Sequence, residues 1–126
     1  MILADTNIFL EILLDQNAKE RCKAFLNANK GGLAISDFSF HSIGVILFSK
    51  GKHEVFNQFI QAILPYISVY SLSKPSYSTL TEIADSSGLD FDDAYQCCLA
   101  SENHFEIATM DNHFRKVANK IVVQFI

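Results

Sequence analysis

Short apolar runs alternate along this chain with apolar stripes at helical spacing. Ile2-Leu3-Ala4, Leu33-Ala34-Ile35, Ile67-Ser68-Val69-Tyr70, Glu106-Ile107-Ala108-Thr109 and Ile121-Val122-Val123 read as strands. Between them, Ile8, Phe9, Ile12 and Leu13 mark one helix, and Cys22, Phe25 and Leu26 a second that Gly31-Gly32 is expected to close. Ile43, Ile46 and Leu47 continue as a richly apolar helix, expected to be mostly buried. Val55, Phe56, Phe59, Ile60, Ile63 and Leu64 form the clearest amphipathic stripe, ended by Pro65. Pro75 fits the first turn of a helix carrying Tyr77, Leu80, Ile83 and Ala84, with Gly88 past its end. Phe91, Ala94, Tyr95, Cys98 and Leu99 outline the last helix.

Strands apolar on both faces and separated by helices predict an α/β fold: a three-layer α/β/α sandwich around a mainly parallel central sheet. At 126 residues the expectation is one domain spanning 1–126. No run approaches the roughly 18 apolar residues of a membrane span. The N-terminus lacks a basic segment followed by a cleavage site, so a cytoplasmic location is expected. The three cysteines, two of them adjacent, make neither a disulfide framework nor a metal-ligand spacing, and are read as packed, reduced thiols.

Parallel sheets of this kind bind ligands beyond the carboxyl ends of their strands. Asp5, Asp37 and Asp111 each follow a predicted strand, and Asp93 falls in the first turn of a predicted helix. Any one of them could be a solvated or helix-capping residue. Gathered at one edge, carboxylates repel and raise one another's pKa unless a cation joins them. A hard divalent ion with open positions for phosphate oxygens suits such a cluster. The net charge of −4 argues against a high-affinity duplex-DNA binder, though not against an enzyme whose metal neutralises a phosphate. Lys50-Gly51-Lys52-His53 and Arg115-Lys116 with Lys120 are read as solvated surface.

Ile2-Leu3-Ala4-Asp5-Thr6-Asn7, Phe91-Asp92-Asp93-Ala94 and Ala108-Thr109-Met110-Asp111-Asn112-His113-Phe114 together resemble the PIN domain, in particular VapC-like toxins. The resemblance implies a metal-dependent endoribonuclease using Mg²⁺ or Mn²⁺, often dimeric and often held by a small antitoxin. It implies Asp5, Asp93 and Asp111 as catalytic, metal-binding positions. Thr6, Asn7 and Thr109 would support them, orienting Asp5 and Asp111 by hydrogen bonds. The family's Ile-Ser-x-x-Thr-x-x-Glu pattern reads here Ile35-Ser36-Asp37-Phe38-Ser39-Phe40-His41-Ser42, so Ser42 stands where a glutamate is expected. Asp37 or His41 could compensate; a helix N-cap and an ordinary helix residue are the competing readings. His113 also replaces a frequently acidic position. Two rivals remain: a PIN-like module that has lost activity and works by dimerisation or partner binding, and an aspartate phosphoacceptor. The second wants an acidic pair after the first strand, where Asp5 stands alone.

Overall fold

The computed structural model describes residues 1–126. Five strands, β1 (Ile2–Ala4), β2 (Leu33–Ser36), β3 (Ile67–Tyr70), β4 (Glu106–Thr109) and β5 (Val123–Phe125), form one sheet in the order β3-β2-β1-β4-β5. Every pairing is parallel. Six helices flank it: α1 (Thr6–Leu13), α2 (Lys19–Ala28), α3 (Asp37–Ser49), α4 (His53–Ala62), α5 (Tyr77–Ser87) and α6 (Phe91–Asn103). The expected sandwich is what the chain forms, with a sheet that is parallel throughout.

Alternation along each strand explains the two cores. Leu3, Ala34 and Ile107 point to one face and pack with α5, α6 and the 3₁₀ turn Asn112–Val117. Their neighbours Ala4, Leu33, Ile35 and Ala108 point to the other and pack with α1 to α4. No helix is long and apolar enough to cross a membrane.

Several boundaries differ from the sequence reading. α2 ends at Ala28, and Gly31 (φ +87°) instead makes the left-handed turn that feeds β2. α4 stops at Ala62, with Pro65 inside a separate 3₁₀ turn, Leu64–Tyr66; Pro75 likewise sits in a 3₁₀ turn, Lys74–Ser76, ahead of α5. β5 begins two residues later than expected. The amide of Ile121 turns back to the carbonyl of Val117, and Val122 is left exposed. α3 is less buried than its composition suggests, because a helix apolar all round still presents only one stripe to the sheet. Ile43 and Leu47 are buried, whereas Val45 and Phe48 are exposed.

β1 leads through α1 and α2 to β2 on one side and pairs with β4 on the other, so the strand order reverses at β1. The carboxyl ends of β1 and β4 therefore splay around a crevice, the usual ligand position in a sheet of this kind.

Candidate metal centre

Asp5 leaves the end of β1 and caps α1: its Oδ1 accepts the amide of Thr6 at 2.8 Å. Its Oδ2 accepts the hydroxyl of Thr109, from the end of β4, at 2.8 Å. That same hydroxyl accepts the amide of Asp111 at 2.9 Å, and Asp111 caps the following 3₁₀ turn through the amide of His113 at 2.8 Å. Asp93 comes from across the crevice, in the first turn of α6. Asp90 caps that helix by accepting the Asp93 amide at 3.1 Å. Three helix starts and two adjacent strand ends thus set the carboxyls at the rim.

A cavity of about 320 Å³ opens between them, lined by Asp5, Asp90, Asp92, Asp93 and Asp111 together with Thr6, Asn7, Ser42, Gln96 and His113. No lysine or arginine pairs with any of these aspartates. The Nδ1 of His113 lies 3.3 Å from Asp111 Oδ1 and 3.8 Å from Asp93 Oδ2. Asp93, Asp111 and His113 each offer a ligand atom, all within 4.8 Å of one another. Asp5 faces the same cavity but stands outside that closest group, its two oxygens engaged by Thr6 and Thr109.

The electrostatics are those of carboxyls crowded without a counter-ion. Burial pushes the Asp93 carboxyl up to about 7; Asp90, Asp111 and Asp5 push the same way, and His113 opposes them. Asp5 is raised too, chiefly by burial, against the lowering pull of its bonds from Thr109 and Thr6. A divalent cation relieves both effects. The donor set fits one: carboxylate oxygens and an imidazole, with no fixed positive charge competing for the position.

The other expected supporting residues divide. Thr6 lines the cavity but donates its hydroxyl to Ser39 Oγ at 2.7 Å, not to Asp5; only its backbone amide orients the carboxylate. Asn7 is exposed and makes no hydrogen bond with Asp5, and the cap expected of Thr6 or Asn7 is Asp5 itself. Ser42 lines the cavity half-buried. Asp37 does not line it. Its Oδ1 accepts the Phe38 amide and the Tyr95 hydroxyl, at 2.7 and 2.6 Å, in a neighbouring apolar depression, and Ser36 is the cap of α3. His41 is exposed on α3, and its side chain makes no hydrogen bond.

One residue of the site, Gln96, has no counterpart in the sequence-based expectations. Gln96, only 2 % exposed, donates to the Oγ of Ser39, which Thr6 also reaches. Its Oε1 is buried without a partner. The signal was a lone polar residue within the buried stretch Ala94-Tyr95-Gln96-Cys97-Cys98-Leu99.

The chain matches the PIN domain over residues 2–120. Among solved structures it is similar to a toxin–antitoxin complex from Klebsiella pneumoniae, at 20% identity and a TM-score of 0.78, covering 98% of this chain and 95% of that one. FitAcB from Neisseria gonorrhoeae superposes with a TM-score of 0.79 at 23% identity, over 98% and 96% of the two chains. VapC20 from Mycobacterium tuberculosis, described as a sarcin-ricin loop cleaving toxin, does so with a TM-score of 0.77 at 12% identity, over 97% of each. At these identities the likeness speaks for the fold. No curated protein sequence matches the chain. The sheet order, the acid-lined crevice at the β1–β4 reversal and the match over residues 2–120 lead to one assignment: the chain belongs to the PIN domain family.

Proposed function

We propose that this protein is a metal-dependent endoribonuclease, the toxin of a toxin–antitoxin pair. The observation that carries the reading is the convergence of Asp5, Asp93 and Asp111, from three separate stretches of chain, on one cavity without a lysine or arginine to neutralise them. Family membership and the likeness to toxins support it.

Asp93 and Asp111 would hold Mg²⁺ or Mn²⁺, with Asp5 lining the same cavity. Held there, such an ion would supply polarisation of a phosphoryl oxygen and a more acidic water for in-line attack on the phosphodiester. Thr109 fixes the Asp5 carboxylate and the Asp111 backbone together, so the two acids keep a constant spacing. No side chain serves as covalent nucleophile: burial pushes the nearby Cys97 thiol up to about 12, leaving it protonated. Single-stranded or loop RNA is the substrate, because a rim cavity reaches only a phosphodiester presented outside a regular duplex. The exposed apolar side chains of Val45, Phe48, Tyr77 and Phe91 form a homodimer face, and a small antitoxin protein is the expected partner.

Asp5→Asn and Asp93→Asn each abolish Mg²⁺- or Mn²⁺-dependent RNA cleavage while leaving the circular dichroism spectrum unchanged. Asparagine remains a good cap for α1, so the Asp5 variant keeps its helix start. Cleavage retained by either purified variant overturns the mechanism. The second reading, a PIN module without activity that works through its apolar face, is favoured by Ser42 in place of an acid. It is the better account if calorimetry finds no binding at millimolar Mn²⁺.

A further inference from the structure

We propose that His113 is itself a metal ligand, making this a mixed nitrogen–oxygen site that prefers transition ions such as Mn²⁺ over Mg²⁺. The inference rests on the nuclease reading only in placing the ion in the same cavity.

Three features carry it. The first is separation. Ligand atoms around an octahedral ion with bonds of roughly 2.1 Å lie roughly 3 Å apart when adjacent and roughly 4.2 Å when opposite. His113 Nδ1 stands 3.3 Å from Asp111 Oδ1 and 3.8 Å from Asp93 Oδ2, and the whole set fits within 4.8 Å. The second is local construction. Asp111 accepts the backbone amide of His113, so the cap of the 3₁₀ turn holds the imidazole beside the carboxylate. The third is independent of the acids. Gln96 lines this cavity, is 2 % exposed, and has its Oε1 buried without a partner. Because Ser39 engages the other arm, one polar end of this amide stays unpaired whichever way it is turned. Unpaired buried amides are costly, and a hydrated ion in the cavity that Gln96 lines would offer the missing partner.

The chemistry then sets the preference. Carboxylates and water serve Mg²⁺ and Mn²⁺ alike, whereas a neutral imidazole favours first-row transition ions over Mg²⁺. With Ser42 where the family carries a glutamate, the nitrogen is a larger share of the donor set than in an all-acid site.

The test uses the full chain with Mn²⁺ and Mg²⁺ as probes. Calorimetry is expected to give Mn²⁺ binding at least about tenfold tighter than Mg²⁺ binding, with His113→Ala losing about tenfold for Mn²⁺ and little for Mg²⁺. His113→Asp restores binding without the preference. Pulsed electron paramagnetic resonance of the Mn²⁺-loaded protein shows nitrogen coupling that His113→Ala removes. The His113 side chain is 66% exposed, so these variants keep the fold, which a thermal melt verifies. Mn²⁺ bound without nitrogen coupling, or unchanged Mn²⁺ affinity in His113→Ala, overturns the inference even if RNA is still cut. Nitrogen coupling in a protein that leaves RNA intact upholds it while sinking the nuclease reading.

Discussion

Thr109 donates its hydroxyl to Asp5 at 2.8 Å across a sequence separation of 104 residues. The bond ties the carboxyl ends of β1 and β4 together where the sheet reverses. The same oxygen accepts the amide of Asp111, so one buried hydroxyl sets the position of two acids.

Thr109→Val, nearly equal in size, removes both bonds and leaves a buried carboxylate oxygen and a backbone amide unsatisfied. A loss of about 1–3 kcal/mol is expected by urea denaturation, with Thr109→Ser close to wild type. Equal stability of the valine and serine variants would count against this role.

The raised pKa of Asp93 fixes the sign of a pH effect. Below about pH 4 the group is protonated whether folded or unfolded. From there to about 7 the unfolded chain has released the proton and the folded one retains it. Metal-free stability relative to Asp93→Asn therefore falls as pH rises through that window and levels off above it. Mn²⁺ affinity runs the other way, climbing with pH up to about 7, because the ion requires the ionised carboxylate. Melting temperatures and calorimetry at three pH values, for both proteins, check the two slopes.

Ser42→Glu returns a carboxylate to the cavity wall. Metal affinity should rise about tenfold as ligand charge increases, while metal-free stability drops from the added repulsion. Metal binding unchanged by this substitution would mean that position 42 does not reach the ion.

Val45, the most exposed large apolar side chain of α3, lines two adjoining depressions, one with Tyr77 and Phe91, the other with Phe48. Sedimentation should find the wild type dimeric and Val45→Glu monomeric. Stability of the monomer unit should change by no more than about 0.5 kcal/mol, as for a surface site. A Val45→Glu protein that still sediments as a dimer rules this face out.

Much of the architecture was legible because its signals are local. Ile2-Leu3-Ala4 and Leu33-Ala34-Ile35 are apolar without alternation, which only a strand covered on both faces tolerates. Once such strands are parallel, residues just past their ends share an edge, and Asp5 and Asp111 follow from chain order alone. What stayed hidden depends on side chains meeting across the fold. Asp37 looked available to the site, yet Tyr95, 58 residues away, claims it. Gln96 and Thr6 both converge on Ser39 from distances of 57 and 33 residues, and no local pattern announces that meeting. β5 slipped by two residues because Val122, apolar by type, turns outward at a short edge strand.

The central position of β1 has a consequence for biosynthesis. β1 is made about a hundred residues before β4 and must wait for it before its second flank is covered. Until Thr109 and Asp111 have emerged, Asp5 has neither its clasp nor its companion acid. A chain made only as far as α6 therefore holds Asp5 and Asp93 without Asp111, and the cluster of three acids is assembled only once the residues after β4 are in place.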